Sequence, residues 1–387
     1  MSESFTETEI SDSPGCFEQL KNAIAGVAIG GLMVVVAIPA LFYNEWSSAS
    51  RYEDLADGKG SVVSVKADKV DKSHEGDLVH VSGKVKYGDP LVDSEFGVEA
   101  TGLRLVRDVE MYQWEEVKKT KKKKKGKKEV KETTYTYKQT WSDKLIDSSD
   151  FNAKYAKGKT NPAEMPYKEE VFSAKDAKLG AYDISKDVSA KLSSSKPFKV
   201  KAVADKIKSK FKLESGKLYM GKDAASPEIG DVRIEYALVA PDEISVIGKQ
   251  VGNTFVPKKM SNGELLEVAV GKVTAEKMFA DAEASNAMMT WMLRIGGFVF
   301  MFIGFMMFFK PLTVIADKIP LVGGLLESGI AIFAGMLAFG ISFVTIAAGW
   351  IVSRPLVGVP LCIVGLGALG GMVFLAMKAK KSKEAAA

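Results

Sequence analysis

The residue types that most often carry catalysis or bind metals are scarce in this chain. Its 387 residues include two histidines and two cysteines, too few for a disulfide scaffold or a zinc site built from His and Cys. His74 and His80 are six residues apart on or near a predicted strand, so their side chains point to the same face. Because a third ligand is not obvious, we interpret both as surface or core residues.

Carboxylates could still serve an enzyme. The acidic pairs Asp54/Asp57 and Glu169/Glu170 are typical of solvated surface charge, although the two carboxylates of an active site need not be close in sequence. The chain contains no G-x-S-x-G, H-E-x-x-H or P-loop motif. We therefore predict no catalytic residue, no cofactor and no metal. A membrane-bound enzyme acting on lipid or envelope material stays open as an alternative.

A glycine motif near the C-terminus has two interpretations. Residues 365–370 spell G-x-G-x-x-G, which binds dinucleotides when it follows a strand and opens a helix. Here it lies inside a long uncharged apolar stretch, where small residues allow membrane helices to approach closely. We therefore predict helix packing, at Gly26 and Gly30 near the N-terminus and at Gly367 and Gly371 near the C-terminus.

The strongest charge feature is a lysine run. Residues 118–132 hold ten Lys and two Glu, whereas the rest of the chain has 43 basic and 46 acidic residues. The net charge of +5 is thus local, which does not favour a nucleic-acid-binding protein. A solvated loop without a partner is one interpretation; contact with anionic lipid or an acidic partner is the other. The lysines predicted for such contact are Lys121, Lys122, Lys123, Lys124 and Lys125.

Four apolar segments determine where the rest of the chain lies relative to a membrane. Uncharged stretches at 23–43, 328–353 and 355–377 are long enough to cross a bilayer as helices, and 295–309 becomes so if Arg294 snorkels to the head groups. Lysines on the short flanks predict both termini in the cytoplasm. The predicted parts are a cytoplasmic tail (1–22), four transmembrane helices (23–43, 291–310, 328–352 and 355–377), an extracytoplasmic domain (44–290), an interfacial connector (311–327) and a cytoplasmic tail (378–387).

The domain at 44–290 has the alternating pattern of β-strands. Segments 103–117 and 133–141 predict a long antiparallel hairpin with the lysine run, 118–132, as the loop at its tip. We predict further strands at 78–87, 232–239, 244–250 and 265–270, and helices at 202–211 and 274–294, the latter running into the second span. The fold class is α+β: an antiparallel, β-rich domain inserted between one N-terminal and three C-terminal transmembrane helices.

Several strings in this layout resemble the transmembrane protein 43 (LUMA) family. They are VEMYQW (109–114), TYTY (134–137) with Trp141, NPAEM (161–165), GDVR (230–233), SNAM (285–288), TWMLR (290–294) and AAGW (347–350) with Arg354 and Pro355. The resemblance covers about residues 20–377. It implies four spans, a large lumenal or extracytoplasmic domain, self-association and a role in organising membrane protein complexes. The family has no established catalytic residues, so none is carried over.

Animal members of that family sit in the endoplasmic reticulum and inner nuclear membrane. The lysine run, the Lys/Ala-rich tail and the lack of an N-x-S/T site indicate instead a bacterial member, in the inner membrane with a periplasmic domain. We predict a non-enzymatic scaffold whose partners are the bilayer and other copies of itself; a ring-like oligomer is one option, and a channel-like assembly is a second alternative function. The candidate interface or structural residues are Glu110, Tyr112, Trp114, Trp141, Trp291 and Arg294.

Overall fold

The computed structural model describes residues 2–12, 15–125, 128–316, 323–351 and 355–384. The chain divides into two compact units. The β unit comprises Met1–Ser13, Ser61–Lys259 and Glu264–Met278, and the helical unit comprises Pro14–Gly60, Met260–Gly263 and Phe279–Ala387.

The strands are β1 (Glu3–Asp12), β2 (Val63–Lys66), β3 (Leu78–Lys86), β4 (Leu91–Asp93), β5 (Val98–Ala100), β6 (Arg104–Lys125), β7 (Lys128–Ser142), β8 (Glu170–Ser173), β9 (Lys178–Leu179), β10 (Tyr182–Asp183), β11 (Lys196–Phe198), β12 (Lys212–Glu214), β13 (Lys217–Met220), β14 (Val232–Val239), β15 (Glu243–Val251), β16 (Thr254–Val256), β17 (Lys258–Lys259), β18 (Glu264–Leu265) and β19 (Glu267–Val270). The helices are α1 (Cys16–Ser61), α2 (Lys186–Lys191), α3 (Ala275–Phe308), α4 (Lys310–Ala316), α5 (Gly323–Ile351) and α6 (Pro355–Glu384).

Two large sheets build the β unit. One has the order β1-β7-β6-β14-β13-β12, with β8 added to β6 and β11 to β14. The other runs β19-β15-β16-β10-β9-β3-β2, and an extra pairing of β15 with β3 closes five of its strands into a ring. Each has its own apolar core, because alternate residues of a strand point to one face. Phe96, Leu105 and Ile234 belong to the first core, and Val81 and Phe255 to the second. The predicted antiparallel, β-rich character is confirmed.

The lysine run is not the loop that the sequence predicts. Strands β6 and β7 pair without interruption from Met111 opposite Ser142 to Lys125 opposite Lys128, and residues 126–127 lie outside the described residues. Cross-strand ion pairs join Lys122 to Glu129 (3.3 Å) and Lys123 to Glu132 (3.4 Å). Acidic residues on the partner strand therefore reduce the repulsion that a lysine loop would suffer, and opposite charges across a strand pair favour pairing.

An N-terminal strand completes this ribbon. All ten residues of β1 pair with β7, from Glu3 opposite Tyr137 to Asp12 opposite Lys128. The predicted placement of 1–22 in the cytoplasm and 44–290 outside it would separate the two paired strands; the membrane side of each segment stays a prediction. The acidic side chains of β1, far in sequence from their lysine partners, gave no local sign of the pairing.

The helical unit carries the apolar helices. Three helices are long and apolar enough to cross a membrane: Phe17–Ser61, Ala275–Phe308 and Ser328–Ile351; α6 carries a shorter apolar segment, Gly358–Gly371. Helix α3 begins at Ala275 and continues through the second span without a break, as predicted. The predicted connector contains α4, and its residues 317–322 lie outside the described residues.

One local prediction is wrong, and another is confirmed with a break at Leu266. The helix predicted at 202–211 is reduced to a 3-10 turn at Asp205–Ile207, after which β12 begins at Lys212. The strand predicted at 265–270 is divided between β18 and β19. At 212–214 and 264–265 the chain instead forms short hairpin pairs with neighbouring strands, β12 with β13 and β18 with β17.

Candidate functional site

The candidate site is a polar cluster buried among the helices. Within the described ranges, His, Cys, Asp and Glu side chains form no group of three or more that could hold a metal ion. The helical unit instead buries the carboxylate of Glu45 completely, with 0% of the residue exposed. Arg294 donates to it from Nε (2.8 Å) and Nη2 (2.6 Å), and the indole nitrogen of Trp350 donates at 2.5 Å. With Asn44 Nδ2 at 3.1 Å, the carboxylate accepts four hydrogen bonds.

Helical spacing brings these groups together. Asn286, Thr290 and Arg294 are four residues apart and share one face of α3, and Glu45 and Ser48 likewise share a face of α1. Asn286 Nδ2 donates to the Ser48 carbonyl (3.0 Å), and Thr290 Oγ1 lies 2.7 Å from Ser48 Oγ. The two helices are therefore joined by a ladder of polar contacts.

Helix α5 approaches the cluster through a glycine. A Cβ on Gly349 would lie 2.5 Å from Cβ of Glu45, closer than atoms pack, so only glycine allows the Trp350 indole to reach the carboxylate. An ion pair at membrane depth is destabilising unless its hydrogen bonds are satisfied, and here they are. Because the carboxylate is enclosed and saturated, its chemistry is structural: it ties three helices together.

Arg294 pairs with Glu45, a contact that the sequence did not predict; its snorkelling to the head groups stays a prediction. Its guanidinium turns toward Glu45 and retains 17% side-chain exposure. It also lies 4.8 Å from the ring centre of Trp291, which is itself exposed. The sequence identified the residue and missed its partner, since Glu45 lies 249 positions away.

Three of the predicted hairpin residues form one cluster in the β unit. Glu110 accepts from Arg233 Nε at 2.5 Å, and the same guanidinium lies 4.5 Å from the ring centre of Trp141. Tyr112 sits opposite Trp141 with ring centres 5.2 Å apart. These residues stabilise the junction of β6, β7 and β14.

Trp114 belongs to a separate contact. Its backbone N–H donates to Asn161 Oδ1 (2.7 Å), and Asn161 Nδ2 donates to its carbonyl (2.9 Å). A second bond from Nδ2 reaches the Ile146 carbonyl at 3.0 Å. The asparagine thus fastens the segment after β7 to the ribbon, which makes Asn161 a structural residue that sequence reasoning did not single out.

An open acidic groove of about 530 Å³ lies beside this ribbon. Some of its carboxylates already have partners: Glu115 pairs with Lys138 (3.1 Å), and Glu116 accepts from Tyr137 Oη (2.6 Å). Burial, with the hydrogen bond to Glu116, raises the pKa of Tyr137 well above its ordinary value. The groove's acidic lining residues are Glu110, Glu115, Glu116, Asp143, Asp147 and Asp150.

The predicted lysines are distributed along β6. Lys121, Lys122 and Lys123 are exposed, and the last two form the ion pairs with β7 described above. Lys124 and Lys125 lie in the same strand. Because two of these lysines already form ion pairs within the chain, fewer of the five are available to contact an anionic lipid or an acidic partner.

The predicted packing glycines differ in their surroundings. A Cβ on Gly30 would collide with the Gly304 carbonyl oxygen and lie 2.8 Å from Phe308 N, whereas one on Gly26 would sit 3.7 Å from the Met307 oxygen. Around Gly367 and Gly371 no described atom comes within 4 Å. The close α5–α6 approach is made elsewhere: a Cβ on Gly365 would lie 2.9 Å from the oxygen of Gly340.

The two histidines serve the β unit separately. His80 is buried between Ser64 (Nδ1–Oγ 3.2 Å) and the Val273 carbonyl (Nε2–O 2.9 Å), while His74 lies 3.2 Å from Asp77. Burial lowers the pKa of His80; the Val273 carbonyl and Glu276 oppose the shift more weakly.

Because the folded state resists protonation of His80, the unfolded state takes up this proton first as the pH falls below about 6.5. We expect stability to decrease from there down to the lowered folded-state pKa, by up to about 1.4 kcal/mol per pH unit. The His80→Gln variant should lose this part of the slope in thermal unfolding of the full chain. His74→Gln is the matched control. Parallel curves for wild type and His80→Gln would contradict the prediction.

A family model described as Transmembrane protein 43 matches residues 111–355. The chain is similar to transmembrane protein 43 of Rattus norvegicus (29% identical over 355 residues, 89% of this chain and 88% of the relative) and of Homo sapiens (29% over 362 residues, 90% of each). It is also similar to the Drosophila melanogaster homolog, at 28% over 349 residues, 88% of this chain and 92% of the relative. No solved structure matches.

Proposed function

Because the chain belongs to the transmembrane protein 43 family, we propose that it is a non-enzymatic membrane scaffold that self-associates through its β unit and organises membrane complexes. The membrane character rests on the family and on the apolar helices. The scaffold role and self-association are the proposed part.

The observation that carries self-association is the position of β1. It forms an edge of the eight-stranded sheet, and along its outer side it pairs with no strand in the described part of the chain. Half of its backbone groups therefore face outward, which is the usual template for pairing between chains.

The contacts that attach β1 to its own sheet can also be made with the same sheet of another copy of the chain. Phe5 is its main apolar contact and stacks on Tyr155 with ring centres 4.8 Å apart. The remaining contacts are backbone hydrogen bonds, side-chain hydrogen bonds such as Thr6–Thr134, and three ion pairs: Glu3–Lys159 (2.9 Å), Glu7–Lys154 (3.0 Å) and Glu9–Lys131 (2.9 Å). A second copy offers the same β7 edge and the same partners, so exchange of β1 between copies would reproduce every contact. We propose this exchange as the mode of association.

A register-specific disulfide tests the exchange. Thr6 and Thr134 are strand partners with their Oγ1 atoms 3.0 Å apart, so the Thr6→Cys/Thr134→Cys variant should form a disulfide on oxidation in native membranes. Cys16 and Cys362 are first replaced by serine. We expect covalent dimers and higher species on a non-reducing gel.

The Thr8→Cys/Thr136→Cys pair is the control. These positions lie four residues out of register, about 13 Å apart, too far for a disulfide. A cross-link confined to single chains would overturn strand exchange. No cross-link, with the thiol of the Thr6→Cys substitution labelled from the cytoplasm, would overturn the β1 pairing itself and support the predicted orientation of α1. A single-chain mass in native lipid at every concentration would overturn the scaffold.

We also propose a bacterial inner-membrane location with the β unit in the periplasm. The support is the lysine-rich C-terminal end, residues 378–383, which favours the cytoplasmic side for the end of α6. Contact of the exposed Lys121–Lys123 stretch with anionic lipid is a separate part of this proposal. The acidic groove is the specific feature on which the alternative, an enzyme acting on lipid or envelope material, would depend.

A further inference from the structure

Helices α1 and α3 leave a cleft open between them inside the helical unit. Its volume is about 580 Å³, within the usual range of small-molecule sites. Val36, Ala37, Leu41 and Phe300 give it apolar walls. The space beside Gly296 is open, because no described atom lies within 4 Å of where its Cβ would be.

The other end of the cleft is polar and uncharged. Asn44, Ser47, Ser48, Asn286 and Thr290 line it, and the cleft has no Asp, Glu, Lys or Arg among its described lining residues. The charges of Glu45 and Arg294 neutralise each other. An ionised head group would therefore find no counter-charge in the cleft.

The polar end has unused acceptors. The side-chain nitrogen of Asn44 donates to Glu45 and to the Thr290 carbonyl, and that of Asn286 donates to Ser48. Their side-chain oxygens accept no hydrogen bond from any residue in the described ranges, although Asn44 is only 9% exposed. An amide oxygen that lacks a donor in a largely apolar cleft is destabilising, so the group that suits this end is a neutral donor such as a hydroxyl.

Aromatic residues indicate the depth of this polar end. Tyr43, Trp46 and Trp291 are exposed on the same stretch of α1 and α3, and such residues concentrate where the bilayer meets water. The apolar walls at Val36 and Phe300 lie farther along the spans, toward the hydrocarbon. A lipid in the cleft would thus carry its polar group at the interface and its apolar body below it.

We propose that the cleft binds an uncharged, hydroxyl-bearing lipid. Its hydroxyl donates to Asn44 or Asn286 and its apolar body lies against α1 and α3. A diacylglycerol and a sterol both have this chemistry, and the experiment separates them.

The test uses the full chain in nanodiscs with photoactivatable diacylglycerol, sterol and phosphatidylglycerol probes, and maps the labelled peptides by mass spectrometry. We expect the diacylglycerol probe, the sterol probe or both to label α1 and α3. The probe that labels these helices identifies the class of lipid that the cleft binds. Gly296→Phe should fill the cleft and reduce labelling about tenfold or more. Asn286→Leu, which removes an acceptor, should reduce it about fivefold.

Gly367→Phe on α6 is the matched control, because that glycine is also exposed with open space around it. Thermal unfolding of each variant shows whether it is folded, and Ala40→Phe at the opposite wall replaces Gly296→Phe if the latter is not. Equal labelling of wild type and the filled variant would overturn the proposal. So would equally strong labelling by phosphatidylglycerol, since that is what ordinary surrounding lipid would give.

Discussion

Glu45→Gln is expected to destabilise the helical unit by about 3–5 kcal/mol, because it leaves the largely buried Arg294 guanidinium without its counter-charge. Glutamine keeps the shape of the side chain and an oxygen that can still accept from Asn44 and Trp350. The variant therefore isolates the loss of charge from the loss of packing. Thermal unfolding in detergent should show a decrease on the order of 10 °C in Tm.

The matched comparison is a double-mutant cycle with Arg294→Gln. Each single variant leaves one charge without its partner, at a site where the carboxylate is 0% and the guanidinium 17% exposed. The double variant leaves no unpaired charge. Its loss of stability should therefore be smaller than the sum of the two single losses and smaller than the loss caused by Glu45→Gln alone. Strict additivity would show that the two side chains do not interact.

The glutamate at 45 also shows where sequence reasoning stops. Its position just after an apolar stretch suggests an ordinary interfacial charge. Its function depends on Arg294 and Trp350, which are 249 and 305 residues away, and no local pattern reports contacts at such distances. The i, i+4, i+8 series of Asn286, Thr290 and Arg294 was the available signal, since three polar residues on one face of an apolar helix need partners.

The features that could be predicted are those that depend on a short stretch of sequence. The spans are visible because a run of uncharged residues needs only its own composition to favour lipid, and β14 and the paired core of β6 and β7 are visible because alternation is a property of each strand. The lysine run was misjudged for the opposite reason. Repulsion within it is evident in the sequence, but Glu129 and Glu132 offset it only once β6 and β7 pair, and Glu9 is 122 positions from Lys131.

Pairing of β1 and the ion pair at Glu45 act on different units, so their variants should separate two properties. Loss of the Phe5 contact should reduce association through the β unit and leave the Tm of the helical unit unchanged. Glu45→Gln should do the reverse. The proposed scaffold thus has an assembly element and an anchoring element that can be perturbed one at a time.

Gly30→Ala is the second substitution with a large expected effect. Its methyl group would collide with the Gly304 carbonyl oxygen and lie 2.8 Å from Phe308 N, and both are backbone atoms that cannot rotate away. Helices α1 and α3 would have to separate, at a cost of about 1–3 kcal/mol, which thermal unfolding of the helical unit should detect.

Gly26→Ala, one turn earlier on the same helix, is the control. Its methyl group would meet the Met307 oxygen at 3.7 Å, an ordinary contact, and alanine has the higher helix propensity, by about 0.5–1 kcal/mol. This variant should therefore be neutral or slightly stabilising. Gly304→Ala, whose methyl would lie 2.9 Å from the Gly30 oxygen, should resemble Gly30→Ala, and the two together should lose less than their sum because one separation of the helices relieves both collisions. Equal stability of the Gly26 and Gly30 variants would mean that α1 and α3 do not meet at Gly30.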